Sequence, residues 1–316
     1  MDFEPAPLFV RLRHIIRADV RLYLKYEAYN PGGSVKFRPA VGLVRHLESS
    51  GALRPGATII DTTSGNMGIA LSVVAKSRGY GFICVTDDKI TRHNRALMEA
   101  YGAALCILPQ STLRERFAYI EQRMREDAGL VWTRQFTNAM NPRTHEATTA
   151  RDILGSFERL DYLFAGTGTG GVLAGCQAAL ARAGRDTRVM AVDAEGSAHF
   201  TPTPAPVRRL LPGIGATERS PFLNQAEPFD VTVVPEREAI AACRQVVQQT
   251  GWLLGASSGS VVAAIQRYQQ HFRSGDIVVG VAADSGERYL DGVYHDGWCQ
   301  THFPDAQQRP SPPMAA

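Results

Sequence analysis

Short apolar runs alternate with amphipathic stretches along almost the whole chain, and this alternation most constrains the fold. The runs "VRLYLKYE" (20–27), "ATIIDT" (57–62), "GFICVT" (81–86), "ALCILP" (104–109), "DYLFAG" (161–166), "RVMAVDA" (188–194), "DVTVVP" (230–235) and "DIVVGVAA" (276–283) each have the length of one strand. Between them, 68–78, 91–102, 112–127, 171–183, 236–250 and 259–272 carry apolar residues at helical spacing. Such a rhythm predicts the α/β class: parallel-rich, twisted sheets flanked by helices. A chain of 316 residues has material for two domains. The stretch "NAMNPRTHEATTARDIL" interrupts the rhythm, so a boundary is expected near 140–150, giving units 1–145 and 146–316, with part of the N-terminal segment packing on the second unit. "FTPTPAPVRRLLPGIG" (200–215) is expected to be a long loop, and the tail 307–316 to be disordered.

Other function classes recede on composition. The net charge of +3 is small and dispersed, which leaves no nucleic-acid footprint. Arg208 and Arg209 form a short basic pair expected at a solvated corner. No run of 18 apolar residues exists, so no spanning helix is expected. "MDFEPAPLFVRLRH" lacks the basic start and apolar stretch of a signal peptide. Cys84, Cys106, Cys176, Cys243 and Cys299 are widely spaced and form no C-x-x-C, which fits a reducing, cytoplasmic setting. The eight histidines show no H-x-x-x-H pairing, so no metal site is expected.

Three strand-to-helix turns are rich in glycine: "TTSGNMG" (62–68), "GTGTGG" (166–171) and "GASSGS" (255–260). Turns of this kind aim backbone N–H groups at an anion. The middle one satisfies G-x-G-x-x-G through Gly166, Gly168 and Gly171, and Asp193 closes the next strand, which is formally a dinucleotide fingerprint. An NAD-dependent oxidoreductase would account for that turn. It would leave the other two, and Lys36 in "NPGGSVKFRPA", without a role. Lys36 stands at a helix start, where the positive end of the helix disfavours an ammonium. A neutral amine there suits a lysine that forms a Schiff base, and pyridoxal phosphate needs that lysine, a phosphate cradle and a ring-nitrogen partner.

The motifs together resemble the cysteine synthase-like, fold-type II pyridoxal-phosphate enzymes. "NPGGSVK" resembles their Schiff-base motif, "TSGNMGIAL" their substrate-carboxylate loop, and "QFTNAMNP" their Q-F-x-N-x-x-N segment. "GTGGV" resembles their phosphate loop, "GASSGS" the segment facing the ring nitrogen, and "SGERYLD" their C-terminal signature. "AVDAEGS", "LPGIGA" and "GERYLDGVYHDGW" are similar to the siderophore-pathway branch that makes N-(2-amino-2-carboxyethyl)-L-glutamate.

The resemblance implies a role for each matching residue. Lys36 would hold the cofactor and then act as base at Cα. Gly168, Thr169, Gly170, Gly171 and Val172 would wrap the phosphate, Val172 standing where threonine is usual. Asn66 would meet the ring's 3-oxygen, and the neutral Ser257 its nitrogen. Thr63, Ser64, Asn66 and Gln135 would hold the α-carboxylate. The implied activity is β-replacement on an activated L-serine, O-phospho-L-serine favoured, through an α-aminoacrylate, with L-glutamate as the amine nucleophile. Cysteine synthase is the alternative, a non-catalytic binding protein on the same fold another. A homodimer acting on small amino acids is implied. Glutamate would need cations at the site mouth, for which Arg134, Arg143 and Arg219 are candidates by position. Phe37 departs from the usual K-D-R. It is expected to pack behind the lysine, and the loss of an aspartate there to remove a charge partner from Arg38.

Overall fold

The computed structural model describes residues 6–201, 207–224, 226 and 229–304. The tail 307–316 and residues 202–206 of the proline-rich loop lie outside the described residues. In chain order the elements are β1 (Phe9–Leu12), β2 (Arg21–Tyr26), α1 (Phe37–Ser49), β3 (Thr58–Thr62), α2 (Asn66–Arg78), β4 (Gly81–Thr86) and α3 (Arg92–Ala100). Next come β5 (Ala104–Ile107), α4 (Leu113–Glu126), β6 (Leu130–Trp132), α5 (Met140–His145), α6 (Arg151–Ser156), β7 (Tyr162–Gly166), α7 (Gly171–Arg182) and β8 (Arg188–Ala194). The last are α8 (Pro221–Asn224), β9 (Asp230–Val234), α9 (Glu236–Thr250), α10 (Ala256–Tyr268), β10 (Ile277–Ala282) and α11 (Asp296–His302).

The strands form two sheets, in the orders β5-β4-β3-β6 and β1-β2-β10-β7-β8-β9. Every pairing is parallel except β1 with β2. This is the predicted α/β architecture. Helices cover both faces of each sheet, so the strands bury both sides and read as continuous apolar runs. Val278 and Ala282 of β10 enter one core with α9 and α10, while Val279 and Val281 enter the opposite core with α7. In the smaller sheet, Ile59 faces α1 and α2, and Ile60 faces Ile120 of α4.

Two local signals set helix ends near the sites they occupy in sequence. Thr112 and Glu115 form a reciprocal capping box that starts α4. Gly251 takes a left-handed conformation (φ 77°) that ends α9.

The segment expected to interrupt the rhythm is instead helical from Met140 to Ser156, with a π-helical turn at Glu146–Ala150 joining α5 to α6. It packs along α7. β1 and the three-residue β6 were not anticipated, being too short to carry a periodicity. β1 and β2, from the first residues of the chain, complete the sheet built otherwise from residue 162 onward.

Candidate active site

The strap 27–36 joins β2 to α1 and ends on Lys36. Gly32 and Gly33 both lie in the left-handed region (φ 75° and 71°), so the turn requires a glycine pair. After it, Val35 N–H donates to the Ala283 carbonyl at 2.8 Å and Ser34 bridges to Asp284. The strap is thereby stitched to the chain leaving β10. Lys36 caps α1 and is partly buried in a cleft lined by Val35, Gly166, Val172, Gly213, Ser257 and Ala283. Its Nζ makes no hydrogen bond or ion pair among the described residues. Burial lowers its pKa, against the opposing pull of Asp284.

Phe37 is buried among Ala40, Leu43 and Met67, behind the lysine. Arg38 is not short of a partner, contrary to expectation. Its Nε meets Glu27 at 2.7 Å and its Nη2 meets Asp152 at 2.6 Å. Lys25 joins the same two carboxylates at 2.6 and 2.9 Å, and all four side chains are buried. Burial pushes the Glu27 carboxyl up, but Lys25 and Arg38 outweigh it and hold it below the usual range.

The residues expected to wrap a phosphate, 168–172, stand between β7 and the first turn of α7. Gly170 caps α7 at φ 81°, a conformation that needs glycine. A side chain at Gly168 would press on the Gly213 carbonyl at 2.9 Å, and one at Gly171 would collide with Asn141 Oδ1. Buried Asn141 donates from Nδ2 to the Gln135 carbonyl at 2.8 Å and to Thr169 Oγ1 at 3.3 Å. Thr169 Oγ1 also accepts from Gly171 N–H at 3.4 Å. With its lone pairs engaged, its own O–H is left free to donate. Behind the loop, Ser220 donates to the Thr169 carbonyl at 2.6 Å, and His199 Nε2 donates to the Gly168 carbonyl at 2.7 Å. His199 Nδ1 accepts from Ser220 N–H, which fixes the neutral tautomer. Val172 is buried in the apolar cluster of Leu173 and Cys176 and offers no hydroxyl.

Ser257 lies in the first turn of α10, 6% exposed, against Gly213. Thr63 and Ser64 form the turn before α2. Thr63 Oγ1 accepts from Gly65 N–H at 3.1 Å, and Ser64 is exposed, its carbonyl accepting from Asn94 at 3.0 Å. Gln135 is buried and donates to the Thr62 carbonyl at 3.1 Å. Its turn hangs on Asp61, which accepts from Thr133 Oγ1 and from Trp132 Nε1, and which burial pushes up to about 6. Asn66 donates to Asp284 at 2.7 Å and accepts from Arg288.

The structure thus gathers Lys36, Val172 and Ser257 around one cleft and ties Thr169 to Gln135 through Asn141. Arg219 is spent on structure: its guanidinium bonds Asn224 and the carbonyls of His199 and Leu223. Arg134 is exposed and stacks 4.3 Å over Trp132, and Arg143 is exposed. Asn141, His199, Asp284 and Arg288 were not anticipated as individual site residues. Asn141 and Arg288 do lie inside quoted motifs, which is the signal that could have found them. Asp193 corrects the dinucleotide reading, being 1% exposed, with Oδ1 accepting from Ala194 N–H rather than offered to a ribose.

These features fit pyridoxal phosphate: a glycine cradle at the start of a three-turn helix, a threonine hydroxyl whose proton no neighbour among the described residues takes, and a desolvated lysine amine without a hydrogen-bond partner among them. A model of the family described as pyridoxal-phosphate-dependent enzymes matches residues 2–284. The chain is 34% identical to O-ureido-L-serine synthase over 90% of each chain, with a TM-score of 0.84. It is 27% identical to the O-acetylserine-dependent cystathionine beta-synthase of Helicobacter pylori, over 93% of this chain and 100% of that one, with a TM-score of 0.85. It is also 26% identical to a hydrogen sulfide-producing enzyme of Fusobacterium nucleatum, over 90% and 95% of the two chains, with a TM-score of 0.84. The chain belongs to the pyridoxal-phosphate-dependent enzyme family. Within that family it is of the cysteine synthase-like, β-replacement type. Among the described residues, no helix is long and apolar enough to cross a membrane and no cluster could hold a metal ion.

Proposed function

We propose that the enzyme replaces the β-substituent of an activated L-serine, preferably O-phospho-L-serine, with the amine of L-glutamate, giving N-(2-amino-2-carboxyethyl)-L-glutamate. The observation that carries the β-replacement part is the desolvated Lys36 amine in a cleft shared with Val172 and Ser257. Bound pyridoxal phosphate supplies the electron sink for breaking the Cα–H bond and losing the β-substituent. Thr169 and the N–H groups at the start of α7 would hold its phosphate, Ser257 would face its nitrogen, and Asn66 its 3-oxygen. A neutral serine does not hold a proton on that nitrogen, which keeps the sink weak and favours direct elimination.

The chain's own residues do the rest. Lys36, relieved of part of its basicity by burial, takes the Cα proton and later returns it from the same side chain. The Thr63–Ser64 turn at the α2 N-terminus and the Gln135 amide would orient the substrate carboxylate.

Glutamate as nucleophile is supported by the C-terminal resemblance and by a cation absent from the initial candidates. Arg288 lies beside Asn66 and Gly32, facing His93. The glutamate amine must arrive uncharged while its carboxylates are held; Arg288 Nη1 and Nη2 are taken by Asn66 and the Gly32 carbonyl, so it is the fixed positive charge beside Asn66 that would draw a carboxylate. The second reading is a cysteine synthase using O-acetylserine or O-phosphoserine. One structural neighbour is an O-acetylserine-dependent enzyme, which favours testing both donors. The reading also carries a homodimer and a cytoplasmic setting, the latter in keeping with five free cysteines.

The test supplies the holoenzyme with O-phospho-L-serine or O-acetyl-L-serine, then with L-glutamate or sulfide, and identifies products by mass. The glutamate adduct from O-phosphoserine is expected. Cysteine formed without any glutamate adduct would overturn the assignment of the nucleophile.

A further inference from the structure

Asp284 leaves β10 and is 1% exposed. Its Oδ2 accepts from Asn66 Nδ2 at 2.7 Å and from the Tyr289 hydroxyl at 2.5 Å. Its Oδ1 is buried with no hydrogen-bond partner, in the space that any side chain at Gly255 would need. Asn66, in turn, accepts at Oδ1 from Arg288 Nη1. Arg288 Nη2 donates to the Gly32 carbonyl of the lysine strap. One end of the Asn66 amide therefore faces a donor and the other an acceptor, each of which has no other polarity to offer. The amide cannot turn over without setting N–H against guanidinium and C=O against carboxylate.

We propose that Asp284 is a positioning residue that, with Arg288, locks the Asn66 amide in one orientation so that its second Nδ2–H is presented to the cofactor. The inference deepens the β-replacement reading of this cleft and rests on it. Three parts of the chain meet in the lock: the strap before Lys36, the first turn of α2, and the segment after β10. The lock also sets a negative charge beside the cleft lysine, joined to it through the Ser34–Asp284 bridge. The titratable groups facing Asp284 are Lys36 of the strap, Arg288 and Tyr289 of its own segment, Tyr26 of β2 and Cys243 of α9. Among these, only Lys36 changes charge state with the chemistry.

Asp284→Asn keeps the shape of the side chain and removes both its charge and its one-sided polarity, since an amide can satisfy Asn66 in either orientation. Two readouts of the holoenzyme are needed besides activity. The dissociation constant for pyridoxal phosphate should rise about tenfold, the loss of one oriented hydrogen bond. The pH midpoint of the visible cofactor band should fall by about one unit, because a nearby negative charge favours the protonated form. Melting temperature is measured in parallel. A substitution that only loosened the fold would lower the melting temperature and leave the midpoint in place. An unchanged midpoint and dissociation constant would overturn the proposal. If Asp284→Asn does not fold, Asp284→Ser keeps an oxygen without the charge and is judged by the same two values. A wild-type enzyme with no visible band would instead sink the cofactor reading, so the two failures are distinguishable.

Discussion

Arg38 Nη2 and Asp152 Oδ2 lie 2.6 Å apart, joining residues 114 positions distant in sequence two places after the cleft lysine. Lys25 and Glu27 complete this buried, charge-neutral group. Removing one partner from such a group strands a charge, at a cost of about 3–5 kcal/mol. Asp152→Asn should therefore lower the unfolding free energy obtained from urea titration by that amount. The folded Glu27 is held below its unfolded value of 4.5, so its share of stability is present above that pH. It is lost as pH falls through the folded value, and urea titrations from pH 6 to pH 3 should show the decline.

Gly171→Ala places a methyl group where Asn141 Oδ1 now sits. Asn141 must then move, releasing Gln135 and Thr169 together. We expect the variant to fold and to lose cofactor on gel filtration, with phosphate content and visible absorbance falling together. Full retention would show that the loop tolerates the displacement.

His199 predicts a pH dependence of its own. Burial pushes it down to about 4, from an ordinary value of 6.5. Its folded pKa is depressed, so the neutral ring contributes fully above pH 6.5, and that contribution declines as pH falls toward 4. At pH 5 the loss comes to about 2 kcal/mol. His199→Gln should be less stable at pH 7 and should lack this part of the decline, as followed by urea unfolding at pH 7 and pH 5.

Arg219 is bound to Asn224 and to two backbone carbonyls, so it is expected to serve stability and not the choice of nucleophile. Arg219→Gln should lower the melting temperature and leave the product ratio between glutamate and sulfide unchanged. Arg288→Gln should shift that ratio toward sulfide at least several-fold. A changed ratio in the first variant, or an unchanged one in the second, would reverse the assignment.

The sheets were legible because buried parallel strands are continuous apolar runs between glycine turns, and most predicted runs lie within two residues of the observed strands. β6 was missed because three residues carry no periodicity, and the helix from 140 to 156 because a π turn breaks the helical spacing. Lys36 and the 168–172 turn are visible in the sequence as glycine-flanked motifs. The partners that hold them are not. Lys25 alternates like an exposed strand residue, yet it is 1% exposed because Asp152 reaches it from 127 positions away and closes the group it forms with nearby Glu27. Such pairings exist only in three dimensions, and no single local window reveals them.

The place of β2 has a consequence for synthesis. It lies between β1 and β10, and Arg21 donates to the Gly275 carbonyl 254 positions away. A ribosome must therefore deliver nearly the whole chain before the strap bearing Lys36 finds the strand that fixes it. Contacts of such long range form slowly, and an unpaired edge is exposed while they wait. The smaller sheet, built from residues 58–132, can assemble much earlier. The cleft lysine is thus fitted into place near the end of folding, and a nascent chain cut short before β10 would carry the amine without the cleft that buries it.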